Sequence, residues 1–141
     1  NRSEMRINMY VKRVFYDDFK DLSNVEKSID FPTWEDIENV INMLDGEYVT
    51  QIIMDNGDEA DYLCIGGGND RLCNVFISKN DNEIIYTLMN SDADDSLVHK
   101  LVTGGQEGDF EDKLCVSIDM AKRVAKMYYE SGQMDASFIW E

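Results

Sequence analysis

The sequence predicts an α+β fold: a single domain with a mainly antiparallel sheet, one helix before it and one near the C-terminus. Three observations carry this. Apolar residues alternate with polar ones through the middle of the chain, in paired runs separated by Asn, Asp and Gly. Two other segments repeat their apolar residues at helical spacing, each between a capping residue and a terminating glycine. The strands come in a run instead of alternating with helices, the pattern of an antiparallel sheet and not of βαβ units. At 141 residues, 43% of them hydrophobic, the chain suffices for one domain, read as 1–141, with a true core.

The opening run "RINMYVKRVFY" is rich in aromatic and β-branched residues and predicts a strand. "DDFKDLSNVEKSIDFP" reads as a connection with at most a helical turn. In "TWEDIENVINMLDG" Thr33 can cap a helix, Asp36 occupies the reciprocal position of a capping box, and Gly46 follows the end. Trp34, Ile37, Ile41 and Leu44 fall on one face, with Trp34 as its core anchor.

"EYVTQIIMDN" and "ADYLCIG" flank "GDE" and predict a hairpin. "RLCNVFISK" and "EIIYTLMN" flank "NDN" and predict a second. In the first strand of that pair Cys73, Val75 and Ile77 share one face, and Leu72, Asn74 and Phe76 the other. "LVHKLVT" predicts a further strand, followed by an acidic, glycine-containing loop, "GGQEGDFED". In "SIDMAKRVAKMYYESG" Ser117 caps a helix whose apolar face is Ile118, Ala121, Val124, Ala125 and Tyr128, and Gly132 ends it. "ASFIWE" predicts a short closing strand.

The formal net charge is −16 and the pI about 4.2. Such a surface repels nucleic acid and anionic membranes and attracts basic partners, so neither nucleic acid nor membrane is expected as a direct partner. No apolar run reaches the ~20 residues of a membrane span, and the first residues do not read as a signal peptide, so a cytoplasmic location is expected. Cys64, Cys73 and Cys115 sit in apolar runs, odd in number and without metal spacing, and read as buried thiols in a reducing compartment.

Catalytic readings find little support. A nucleophile–histidine reading must use His99, the single histidine, and no nucleophile elbow or cysteine-protease segment accompanies it. Carboxylate pairs occur by chance among 29 acidic residues. "IGGGND" and "TGGQEGD" match neither dinucleotide nor P-loop spacing and lack the phosphate-binding lysine. "DNGDEAD" and "SDADDS" supply oxygens without the spacing of a calcium loop, and turn chemistry accounts for them. No catalytic residue, no metal site and no cofactor is expected. The residues describe a compact acidic domain that binds other proteins.

The C-terminal half carries a further pattern. Gly67 and Gly68 precede Arg71 and a strand. Gly105 and Gln106 lead the acidic segment, a helix bearing Ala121 and Ala125 follows, then Gly132, and the chain ends in Trp140 and Glu141. Over about residues 60–141 this resembles the immunity-protein-one family of bacterial polymorphic toxin and contact-dependent inhibition systems. One departure is the absence of a proline from "EGDFEDKLCVSID". The resemblance implies a small cytosolic α+β protein, encoded beside a toxin, that binds it one to one as a monomer and performs no chemistry. Toxins of the deaminase superfamily are frequent partners of the family. Gly67, Arg71, Gly105, Gly132 and Trp140 are then residues that hold the fold: the glycines by backbone geometry, Arg71 by pairing with a surface carboxylate, Trp140 by anchoring the terminal strand.

A toxin acting on nucleic acid presents a positive groove, which carboxylates can fill in place of phosphates. The expected toxin contacts are three acidic groups: Asp55, Asp58, Glu59 and Asp61; Asp92, Asp94 and Asp95; Glu107, Asp109, Glu111 and Asp112. Two alternatives stand beside this reading. One is an acidic secretion chaperone or adaptor, which would dimerise and hold an unfolded segment on apolar patches. The other is a hydrolase or metal enzyme built on His99 and carboxylates.

Overall fold

The computed structural model describes residues 8–20 and 23–141. Among them the elements are β1 (Arg13–Tyr16), β2 (Phe19–Lys20), β3 (Ser23–Asn24), β4 (Lys27–Asp30), α1 (Trp34–Met43), β5 (Gln51–Asp55), β6 (Tyr62–Gly67), β7 (Leu72–Lys79), β8 (Ile84–Thr87), β9 (Val98–Thr103), β10 (Gln106–Glu111), β11 (Val116–Ser117) and α2 (Ile118–Ser131). The main sheet runs β11-β7-β6-β5-β1-β4, with β8 also on β7, and its pairings are antiparallel. β9–β10 and β2–β3 form separate two-stranded ribbons. The fold is α+β, with one early and one C-terminal helix.

Both helices begin as their sequences dictate. The Thr33 hydroxyl accepts the Asp36 N–H at 3.0 Å and the Asp36 carboxylate accepts the Thr33 N–H at 2.9 Å, a reciprocal box that satisfies two otherwise orphaned donors. Ser117 accepts the Met120 N–H at the start of α2, and Gly132 ends it in the left-handed conformation at φ 72°. The apolar faces of both helices join one face of the sheet in a single core. Ile37, Val40 and Ile41 of α1 and Ala121, Val124, Ala125 and Tyr128 of α2 pack with Val14, Ile52, Met54, Leu63, Ile65, Val75 and Ile77. Trp34 lies at the edge of this core, tilted against Tyr129 at 6.1 Å between ring centroids. The alternation expected in β7 holds, with Cys73, Val75 and Ile77 buried.

Three expectations change. The connection at 17–32 contains β2, β3 and β4, and β4 pairs with β1 as the sheet's edge. Its side chains are largely exposed and two are charged, so it lacks the alternation that marks a half-buried strand. The acidic loop after β9 is a strand, β10, turned back by Gly104 and Gly105 at φ 59° and 78°. Its acidic residues alternate on an outward face, which hides the strand from a hydropathy pattern. At the C-terminus the expected strand reduces to one bridge between Leu88 and Trp140. Of the opening run, β1 is a strand, and residues 6–7 lie outside the described residues.

The sheet's second face, away from the helices, carries the cross-strand row Phe15, Ile53, Cys64, Phe76 and Thr87. The β9–β10 ribbon closes one end of this face. A Cβ on Gly66 would lie 2.6 Å from Thr103, so only glycine lets β9 approach. Leu101, beside Gly67, is fully buried there.

Candidate functional site

The acidic groups singled out in the sequence fall into two regions. Asp55 ends β5 and is 1% exposed, with its Oδ1 2.6 Å from Arg13 Nε and 2.8 Å from the Gly57 N–H. A buried carboxylate already held by two donors offers nothing to a partner, so Asp55 leaves the contact set. Asp58, Glu59 and Asp61 occupy the β5–β6 turn. Asp58 accepts the Ala60 N–H, and Asp61 accepts the Asn80 N–H of the neighbouring β7–β8 turn.

The other two groups are joined. The Asp94 N–H donates to Asp112 Oδ2 at 2.9 Å, linking the 92–95 loop to the end of β10. Asp112 Oδ1 is 2.6 Å from His99 Nε2 on β9. Asp94 itself accepts from Ser96, and those bonds hold its carboxyl below the ordinary range. Glu107, Asp109 and Glu111 alternate along β10 opposite Val102, Lys100 and Val98, so the three carboxylates share the ribbon's outward face. Lys100 reaches Asp109 at 3.0 Å and Glu107 at 3.5 Å, and Lys113 reaches Glu111 at 3.6 Å. This ribbon meets β6 at Gly66 and Gly67, whereas the β5–β6 turn lies at the strand's other end, roughly 17 Å away for six residues of strand.

The sequence missed the clamp that seats the ribbon. Asp17, 8% exposed, accepts the Thr50 and Gln51 N–H groups at 2.7 and 2.9 Å and the Thr50 hydroxyl. Thr50 Oγ1 in turn accepts the Gly105 N–H at 3.0 Å. Asn69 Oδ1 accepts the Val102 N–H at 2.9 Å. These partners are more than thirty residues apart in the chain, and no local signal marks them. Beside the clamp a cleft of about 280 Å³ is lined by Phe15, Tyr16, Asp17, Asn24, Glu26, Gln51, Ile53 and Gly104.

The three cysteine thiols are unsuited to nucleophilic chemistry. Cys64 and Cys73 are buried and burial pushes both thiols up to about 12, while Cys115 rises to about 11. Thiols in that range are protonated near neutral pH and poor nucleophiles. Among the described residues no three potential ligands gather as a metal site, and no helix is long and apolar enough to cross a membrane.

The five residues expected to hold the fold are placed as follows. Gly67, Gly105 and Gly132 have φ of 106°, 78° and 72°. Trp140 bridges to Leu88 and donates its indole N–H to the Asp135 carbonyl at 3.0 Å. Arg71 is exposed, with φ of 59°, and among the described residues no carboxylate pairs with it, so the expected surface ion pair is not formed.

A family model described as immunity protein Imm1 matches residues 26–141. The chain belongs to the Imm1 family. The match takes in α1 and β4 as well as the C-terminal half. It identifies an Imm1 immunity protein, whose class of partner is a protein toxin, and the chaperone alternative receives no support. No curated protein matches the chain.

Proposed function

We propose that this Imm1 protein neutralises a cognate toxin domain of a bacterial polymorphic toxin or contact-dependent inhibition system. The toxin acts on nucleic acid, with a deaminase type favoured. The immunity protein acts as a monomer in the cytoplasm of the producing cell, covers the basic active-site cleft of the toxin, and does no chemistry of its own.

The observation that supports the reading most is the joined acidic surface. Glu107, Asp109 and Glu111 stand in one row on β10, and the Asp112 carboxylate fixes the loop bearing Asp92, Asp94 and Asp95 beside it. Among the described residues, only Lys100 and Lys113 form ion pairs with that row. A groove that binds phosphates is complementary to such a surface. The β5–β6 turn at the far end of β6 is a separate acidic patch, and Asp58, Glu59 and Asp61 are assigned a lesser role.

Co-expression with the toxin domain encoded beside this chain tests the proposal. Rescue of growth together with a purified one-to-one complex is expected. Failure of rescue with both proteins expressed and folded removes the reading.

A further inference from the structure

The cleft beside the Asp17 clamp has a composition that selects its occupant. Two aromatic rings, Phe15 and Tyr16, two carboxylates, Asp17 and Glu26, and two side-chain amides, Asn24 and Gln51, line it with Ile53 and the backbone of Gly104. Among the described residues, the lining contains no lysine, arginine or histidine. Its volume of about 280 Å³ takes one large side chain and falls short of the ~300–1,000 Å³ usual for cofactors and drug-sized ligands.

Several features fix the cleft before anything binds. Asp17 is held by Thr50 and Gln51. Gln51 Oε1 lies so close to Gly104 that a Cβ there would come within 2.4 Å. Phe19 of β2 abuts Gly105, whose Cβ would lie 2.6 Å from the ring. Arg13 sits 5.3 Å over the Phe15 ring and is paired with Asp55 at 2.6 Å, and Lys27, next to Glu26 in the chain, is paired with Asp18 at 3.3 Å. An anion would face the exposed Glu26 carboxylate, with Asp17, already held by its three donors, behind it. Asn24 Oδ1 already accepts the Asp18 N–H, and a purely apolar side chain would offer nothing to Glu26 or the Gln51 amide. A guanidinium satisfies both demands, donating to carboxylate and amide oxygens while its plane lies on an aromatic surface.

We infer that this cleft receives a single basic side chain, arginine in preference, from the cognate toxin domain. The inference rests on the immunity reading and adds the place and chemistry of one anchor. Gly104 belongs to both the cleft and the β9–β10 turn, so an anchored toxin would lie against the acidic row of β10.

The test is binding kinetics of the full chain with the purified toxin domain encoded beside it. Glu26→Lys and Gln51→Arg each bring a cation to the cleft. Each is expected to weaken Kd by about tenfold or more, mainly through faster dissociation, because losing a desolvated charged anchor changes the off-rate whereas losing a rim charge changes the on-rate. Glu130→Lys makes the same change in formal charge as Glu26→Lys, at an exposed position on α2, and is expected to leave dissociation within about twofold of wild type. Thermal midpoints near wild type confirm that the variants are folded, and Glu26, being exposed, tolerates substitution. If both folded cleft variants dissociate within about twofold of the wild-type rate, the anchor assignment is overturned and the immunity reading stands. If the wild-type chain forms no complex, the immunity reading falls and the anchor with it.

Discussion

His99 Nε2 lies 2.6 Å from Asp112 Oδ1, and the other oxygen of the same carboxylate accepts the Asp94 N–H at 2.9 Å. One half-buried side chain thereby ties β9, β10 and the 92–95 loop. Hydrogen bonds to the charged form, first from the Asp94 N–H and then from His99, hold the Asp112 carboxyl below the ordinary range. A carboxylate whose folded value lies below its unfolded value contributes stability above the unfolded pKa, about 3.9, and loses it as pH falls through the folded value. Urea unfolding of the wild type is therefore expected to weaken in that acid window. Asp112→Asn is expected to have a lower midpoint at pH 6 and a shallower fall below about pH 4. An unchanged acid slope in that variant would show that the pair does not contribute.

Arg13 and Asp55 form the most buried ion pair of the described residues, with side-chain exposures of 29% and 1%. Removing the arginine leaves a carboxylate out of water with, among the described residues, the Gly57 N–H as the remaining hydrogen-bond donor to its side chain. The penalty for stranding a buried charge is about 3–5 kcal/mol. Because Arg13 is partly exposed, Arg13→Met is expected to cost roughly 2–3 kcal/mol, at or below the bottom of that scale. Chemical denaturation measures it, and Asp55→Asn in the same background should recover part of the loss by removing the stranded charge. A single-variant cost below about 1 kcal/mol, the surface-pair value, would mean that water reaches Asp55.

Both helices were legible in the sequence because their caps are local: Thr33 with Asp36, Ser117 with Met120, and Gly132 at the end all lie within a turn of what they satisfy. The β5–β6 and β7–β8 hairpins were legible because buried residues alternate along most of β5 and β7 and run continuously through β6, with turn residues between the strands. β4 and β10 were not, since an exposed edge strand and a ribbon with an acidic outer face carry no such pattern. The acidic groups could be enumerated but not sorted. Burial of Asp55 depends on Arg13 forty-two residues away, and the union of Asp94 with Asp112 spans eighteen. The cleft was invisible because β1, β3, β5 and the β9–β10 turn each supply part of its wall.

Gly68 and Gly57 separate two kinds of glycine requirement. Both have positive φ, 104° and 86°, which side chains rarely adopt. A Cβ on Gly57 meets nothing within 4 Å, whereas one on Gly68 would lie 2.5 Å from the Leu44 carbonyl carbon. Gly57→Ala is expected to cost only the conformational strain, about 1–2 kcal/mol. Gly68→Ala adds a backbone collision where α1 gives way to the next turn, and should cost at least about 1 kcal/mol more, as overpacking does. Paired thermal melts measure the difference. Equal costs would mean that the Leu44 segment yields freely, and that the close approach of residue 68 to the end of α1 contributes no stability.

Association with the toxin should reveal which acidic patch faces it. Lys100, with its side chain 69% exposed, pairs with Glu107 and Asp109 on the outer face of β10, and such exposed pairs contribute about 0–1 kcal/mol. Replacing Glu107, Asp109 and Glu111 by their amides should therefore leave folding nearly unchanged. It should slow association at low salt and flatten the salt dependence, because steering charges act on encounter and are screened beyond about 8 Å at physiological ionic strength. The same replacement at Asp58, Glu59 and Asp61, at the other end of β6, removes as much charge from a different surface. Stopped-flow association across a salt series compares the two. A larger effect from the β10 triple places the toxin on the ribbon. A larger effect from the β5–β6 triple moves the interface to the opposite end of the sheet, and an association rate independent of salt in the wild type would point to a steric, apolar plug instead of an electrostatic one.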